Sequence, residues 1–381
     1  MKIATFKVEE WMNLNETKAK YNIAETCVDS VTLNELFRFA GRSWQEFFSE
    51  LSQRRMTYGA IFGNRELKVE ISKLYRSINV DDIITTHGAA GANHLALYSL
   101  VEPEDAVVSV MPTYQQLYSI PESYGAKVRI LKLTKEEKFL PNLDKLRTFV
   151  NERTKVICIN NPNNPTGALI PEETLRGIVE IARGVGAYLF CDEVYRFLSQ
   201  EDGYPESVVD LYERGIVVGS MSKAFSLAGL RLGWIATRNR EAMRSILLHR
   251  DYDTISCGLI DEALAAVAMS AKDKILARNC KIVRENLAIL DEWVANEPYF
   301  SYVKPQCGTT ALLYCDVDMP SEKFCSKLLA ETGVLLTPGS CFDEEHCFRI
   351  GYACNKEELK EGLAKLGKFV ERLMSSSSAP L

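Results

Sequence analysis

Between residues 80 and 235 short apolar runs alternate with longer amphipathic ones, and that alternation leaves few ways to fold. DDIITTHG, AVVSVMP, KVRILKL, KVICINN, AYLFCDE and GIVVGSMS are rich in Val and Ile and bounded by Gly, Pro or Asn, the pattern of buried strands. GANHLALYSLV follows the first, TYQQLYSIPESYG the second and PEETLRGIVEIARGVG the fourth, each with helical periodicity. Alternation of this kind predicts an α/β fold: a mostly parallel sheet with helices on both faces. After Cys257 the pattern changes to long helical stretches, then TTALLYCDVD, GVLLTPGS and CFRIGYA as strands and a last helix capped by Asn355. This predicts a large domain over residues 46–275 and a smaller α+β domain over 276–381, which the N-terminal segment 1–45 joins.

Composition removes several classes of function. A net charge of −6 disfavours a broad nucleic-acid-binding face. No window approaches the ~20 apolar residues of a membrane span, and the first twenty residues lack the apolar core of a signal peptide, so a cytoplasmic protein is expected. The 11 cysteines include no C-x-x-C, and several sit in apolar strand runs as small buried hydrophobes. With 4 histidines, no dedicated metal site is expected.

The chemically active residues cluster where strand runs end. His87, Pro112, Asn160 to Asn164, Asp192 and Ser220 to Lys223 all fall there, and in open α/β sheets that edge binds ligands. The most demanding stretch is GSMSKAFSLAGLRLGW, with Lys223 among serines and Arg231 eight positions on. Ser220-Met-Ser-Lys223 matches the S-x-x-K of serine β-lactamases, but the chain has neither S-D-N nor K-T-G. The phosphate-loop pattern G-x-x-x-x-G-K-[ST] is also absent.

A lysine that condenses with a carbonyl, as with pyridoxal 5'-phosphate (PLP), makes four demands on its surroundings. Helix-start N–H groups for a phosphate come from Thr86-His-Gly-Ala-Ala-Gly-Ala92, where tight strand-to-helix packing is an equal explanation of the glycines. A carboxylate for the ring nitrogen comes from Asp192, otherwise a helix cap. Tyr114 supplies a flat neighbour, otherwise core. Asn164 and Tyr195 supply donors to the phenolate oxygen, although NNPNNPTG in isolation reads as a turn.

Taken in order, Tyr58-Gly59, NNPNNPTG, CDEVYR, SMSKAFSLAGLRLGW and Phe348-Arg349-Ile350 resemble the fold-type I PLP enzymes, specifically class I/II aminotransferases related to aspartate aminotransferase. The resemblance implies that Lys223 holds PLP as a Schiff base and moves the substrate's Cα proton. It implies that Asp192 keeps the pyridine nitrogen protonated, and that Asn164 and Tyr195 bond the phenolate oxygen. Ser220, Ser222, Arg231 and the backbone at Ala89 and Ala90 would hold the phosphate. Tyr58 would reach in from the partner of a homodimer with shared active sites. Arg349 would grip the α-carboxylate of an amino acid or 2-oxo acid. Burial and the nearby Arg231 are expected to lower the pKa of the Schiff-base nitrogen.

Two places depart from the family pattern. Gly88 replaces a serine of aspartate aminotransferase in the phosphate loop, and Asn22–Ser30 replaces a Gly/Pro turn near the substrate. Glu25, with Asp251 or Asp253 of the partner, is expected to face a cationic side chain, while Arg250 either binds an acidic substrate or pairs with those aspartates. The N-terminal segment bears a weaker resemblance to capreomycidine synthase-like enzymes acting on arginine derivatives. A lyase, or a cyclase or oxidase, therefore stands beside transamination.

Overall fold

A computed structural model of the chain describes residues 2–377. Its N-terminal segment opens with the helix Lys7–Asn15 and the short strand β1 (Tyr21–Asn22). Seven strands then form the central sheet: β2 (Ile83–Thr86), β3 (Ala106–Met111), β4 (Lys127–Lys132), β5 (Thr154–Asn160), β6 (Tyr188–Asp192), β7 (Gly215–Ser220) and β8 (Gly233–Ala236). They lie in the order β2-β8-β7-β6-β5-β3-β4. The pairs from β7 through β6, β5 and β3 to β4 are parallel, whereas β8 is antiparallel to both its neighbours. The six expected strand runs all form, and β8, whose apolar run is only four residues, is additional.

One strand differs from its expected burial. β4 is one edge of the sheet, and Lys127, Arg129 and Lys132 of KVRILK are exposed. Elsewhere β5, β6 and β7 are buried almost throughout, as both-face helix coverage requires.

Because β8 runs backwards, its first residue sits beside the last residues of two strands. Gly233 pairs with Thr86 of β2 and Ser220 of β7. This brings the carboxyl ends of β2, β5, β6 and β7 to one edge, with Arg231 entering β8 between them. Glycine is required at that junction: a Cβ on Gly233 would lie 2.6 Å from the Gly88 carbonyl carbon.

The smaller sheet has the order β12-β13-β10-β9, from β9 (Phe300–Tyr302), β10 (Thr310–Cys315), β12 (Thr337–Pro338) and β13 (Cys347–Gly351). β1 pairs in parallel with β11 (Val334–Leu335), so the N-terminal segment is stitched to this part of the chain. The helix Lys272–Asn296 runs unbroken through residue 275. The last helix, Lys356–Ser377, starts where Asn355 Oδ1 accepts the Glu357 N–H, and it buries Leu359, Leu363, Leu366 and Phe369.

Candidate active site

The carboxyl edge of the central sheet, the smaller sheet and the N-terminal helix enclose one cavity of about 260 Å³, just under the roughly 300–1,000 Å³ usual for small-molecule sites. Lys223, Asp192, Tyr195, Asn164, Tyr114, Ser220, Ser222, Ala89, Ala90, Arg231, Glu25 and Arg349 all line it. Sites drawn from 325 residues of sequence thus meet in one place, because each strand delivers its last residue to the same edge.

At one end lies a ready-made anion cup. The helix Gly88–Leu100 begins beside His87, which gives it no side-chain cap, so its first N–H groups stay available. Arg231 and Ser222 border the same end, and the Ser222 N–H donates to Ser220 Oγ at 2.9 Å. Gly88 has φ 67°, and a Cβ there would lie 2.9 Å from Arg231 Nη2, so the serine of relatives is replaced by space the guanidinium uses.

Asp192 ends β6 and is almost fully buried. Asn93 Nδ2 donates to its Oδ2 at 3.0 Å, and the Val194 N–H to its Oδ1 at 3.2 Å. Burial nonetheless raises its pKa, because these bonds and Lys223 offset the lost hydration only partly. A cationic ring nitrogen is the partner such a carboxylate lacks.

NNPNNPTG is a turn, but a buried one whose asparagines replace water. Asn160 Oδ1 accepts the Asn164 N–H at 2.7 Å, Asn161 Oδ1 the Ile170 N–H at 2.9 Å, and Asn163 Oδ1 the Thr166 hydroxyl at 2.7 Å. Asn164 Oδ1 instead accepts from Arg349 Nη1 at 3.2 Å. Arg349 is held further by Ala24 O and Thr337 Oγ1, and its Nε has no partner. The Tyr195 hydroxyl is buried and equally unpartnered. Two orphaned polar atoms on one cavity wall are costly unless a ligand completes them. The anion cup, Asp192 and these donors together fit PLP and an amino acid carboxylate.

Lys223 as a free amine is held across the cavity. Its Nζ donates to Thr26 Oγ1 at 2.6 Å and lies 3.4 Å from Cys27 Sγ. Burial pulls its pKa down, but Cys27, Tyr195, Glu25 and Tyr114 outweigh this and raise it, so the free amine is held as an ammonium. Arg231 does not oppose this: it is exposed and donates to Ala228 O.

Other expectations sort by distance from the cavity. Arg250 is 1% exposed and donates to the carbonyls of Ile61 and Thr85, so it grips the fold rather than a substrate. Asp251 and Asp253 sit on an exposed turn outside the cavity, His87 is exposed beside it, and Tyr58 is 71% exposed. Glu25 is at the cavity, but its Oε1 accepts the N–H groups of Thr26 and Cys27 at 2.7 and 2.8 Å. Burial works against its charge, yet Lys223 and those N–H groups keep its pKa below the usual range.

Sequence reasoning missed Val8, Glu9, Met12, Glu16, Thr26, Cys27 and Asn93. Asn93 was discoverable one helical turn after Ala89. Glu9 and Glu16 share a helix face at i and i+7 with Met12 between them. Among the described residues no group of His, Cys, Asp and Glu is placed to hold a metal ion, and no helix is long and apolar enough to cross a membrane.

The family model for aminotransferase class I and II matches residues 9–366. A PLP-dependent aminotransferase from Streptococcus suis superposes with a TM-score of 0.95 at 45% identity, over 98% of this chain and 99% of its own. Capreomycidine synthase of Streptomyces vinaceus is 30% identical over 95% of this chain and 92% of its own length. Aspartate aminotransferase of Pyrococcus horikoshii is 30% identical over 81% of this chain and 80% of its own. The chain is therefore a member of the class I and II aminotransferase family, with its fold-type I architecture and its dependence on PLP.

Proposed function

We propose that the chain is an aminotransferase that moves an amino group between an α-amino acid and a 2-oxo acid. The observation that carries this is the meeting of Lys223 and Asp192 with the unpartnered Tyr195 hydroxyl and Arg349 Nε in one cavity. Bound PLP supplies an aldehyde that condenses with amines and a ring that takes up electrons. Asp192 holds a proton at the ring nitrogen. Asn164 and Tyr195 donate to the phenolate oxygen. Ser220, Ser222, Arg231 and the N–H groups at Ala89 and Ala90 bind the phosphate. Arg349 binds the α-carboxylate and so orients Cα toward Lys223 Nζ, which carries the proton to and from it.

A homodimer in the cytoplasm fits this reading. Met56, Tyr58 and Phe62 are exposed, as are Leu248 and Tyr252, and Arg250 ties the two segments together through Ile61 O. This is an apolar patch of the kind a second copy covers. Tyr58 lies in it, where it is free to enter the partner's site.

A cyclase or lyase reading is favoured by the 95% coverage of the chain by a relative named capreomycidine synthase. Incubating the holoenzyme with each amino acid alone, then with a 2-oxo acid, separates the two. Transamination yields the cofactor's amine form and a 2-oxo acid of unchanged skeleton. A product cyclised or shortened, with no amine form accumulating, overturns it.

A further inference from the structure

We propose that the substrate's side chain ends in a cation, a guanidinium or an ammonium, received by Glu9 and Glu16 on the N-terminal helix. This rests on the PLP-dependent reading of the same cavity and names the substrate class it takes.

The helix Lys7–Asn15 places Val8, Glu9, Met12 and, at its C-cap, Glu16 on the cavity wall. Those positions share one helical face. The opposite side is anchored: Trp11 is buried and its Nε1 donates to Leu336 O at 2.9 Å. Glu9 is fixed too, because the Tyr114 hydroxyl donates to its Oε1 at 3.0 Å. The Glu9 carboxylate is therefore presented by rigid structure, with Glu16 two turns further on.

Charge decides what they face. The cavity's cations are Lys223, Arg231 and Arg349, and its anions Asp192, Glu25, Glu9 and Glu16. Arg231 belongs to the anion cup, Arg349 to a carboxylate and Asp192 to the ring nitrogen, while Glu25 is held by backbone N–H groups beside Lys223. Arg349 and Tyr195, 3% and 2% exposed, keep unpartnered polar atoms that call for an anionic group. Adding a phosphate and an α-carboxylate makes the enclosure more negative. Among the described residues neither Glu9 nor Glu16 has an ion pair. A side chain ending in a carboxylate meets repulsion there, a neutral one leaves both uncompensated, and a cationic one pairs with them.

The wall also grades along its length. Met12 offers apolar surface between the two carboxylates and Val8 beside Glu9, and Glu16 is exposed at the rim. A methylene stem lies on such a surface while its charged head reaches out. Glu9 and Glu16 thus act on the side chain, and Glu25, contrary to the reading from sequence, serves the lysine.

The test is a titration of holoenzyme with arginine, lysine, citrulline, norleucine and aspartate. It is read by the cofactor's absorption and, separately, by thermal shift. Citrulline matches arginine in shape without the charge. Arginine or lysine should bind about tenfold or more tightly than its neutral analogue, the scale of one charge-assisted hydrogen bond. The arginine-to-citrulline ratio should fall toward one in the Glu9→Gln/Glu16→Gln double variant. Glu16→Gln alone, at an exposed site, shows part of that fall if the double variant does not fold. Preference for citrulline or aspartate, or a ratio unmoved by the substitutions, overturns the proposal. If no amino acid alters the cofactor spectrum, it is the enzymatic reading itself that fails. Comparing arginine with lysine then tells guanidinium from ammonium.

Discussion

Lys223 Nζ donates a 2.6 Å hydrogen bond to Thr26 Oγ1, which lies 197 residues earlier in the chain. The contact joins the turn after β7 to the N-terminal segment, which β1 ties to β11 in the C-terminal part of the chain. The amine that must condense with the cofactor is therefore parked on a hydroxyl contributed by the other side of the cavity. Glu25 and Cys27 border the same ammonium, so it is half-buried without being unpaired.

Replacing Lys223 with Ala removes the only lysine lining the cavity. The variant should show no absorption from a protein-bound Schiff base, and turnover should fall by roughly 10²–10⁴-fold through loss of the proton carrier alone. Wild-type-like absorption in the purified variant would place the reactive amine elsewhere.

Asp192→Asn separates stability from function. Burial raises the Asp192 pKa, so the folded apo-protein binds its proton more tightly than the unfolded chain does. Its contribution is favourable at low pH and is lost as pH rises through the folded pKa. Asn removes the buried charge but keeps one acceptor oxygen, so one of the two donors, Asn93 Nδ2 or the Val194 N–H, loses its partner. The variant should retain PLP about tenfold or more less well, and the apo-variant should lose the decline in stability with rising pH that the buried carboxylate causes. PLP retention equal to that of the wild type would show that Asp192 does not hold the ring nitrogen.

Much of this site was legible because strand order and chemistry coincide in the sequence. The runs ending in Asn160, Asp192 and Ser220 could be aligned by eye, since a parallel sheet puts successive carboxyl ends on one edge. Arg231 was legible only through its motif. Its placement depends on β8 running antiparallel, and the four residues GWIA carry no periodicity that says so. Arg250 misled because an arginine beside two aspartates resembles a surface cluster, whereas its guanidinium points inward to two backbone carbonyls. Glu9 and Glu16 were overlooked for a related reason. Which face of an isolated amphipathic helix meets a cavity is set by what packs behind it, and Trp11 finds its partner 325 residues away.

Arg349→Lys tests the geometry of recognition while preserving its charge. Arg349 reaches Asn164 Oδ1, Ala24 O and Thr337 Oγ1 at once, and a lysine ammonium cannot span those three with a planar fork. kcat/KM should drop about 10–100-fold, matching a charge-assisted hydrogen bond or two. The loss should appear equally with amino acids of different side chains. A loss confined to one side-chain class would make Arg349 a side-chain reader.

Glu193, next to Asp192 but facing away from the cavity, governs how stability responds to pH. It is 4% exposed, and its Oε1 accepts the Ser207 hydroxyl at 2.9 Å and the Val208 N–H at 3.0 Å, while Oε2 has no hydrogen-bond partner. Burial pushes its pKa up to about 7, with Arg196 only partly offsetting it. The folded state therefore holds the proton over a window in which the unfolded chain has released it, and stability declines as pH rises from about 4.5 to about 7. At about 1.4 kcal/mol per unit the change is on the order of 3 kcal/mol. Glu25 acts in the opposite sense, but its lowered pKa confines its effect to pH values below this window. Glu193→Gln keeps the acceptor for Ser207 and Val208 and removes the titration. Denaturant unfolding of apo-protein between pH 4.5 and 8 should show the wild type losing more stability than the variant, which keeps only the dependence that Asp192 and Glu262, also raised by burial, contribute. Parallel curves would mean that another buried carboxylate carries the dependence.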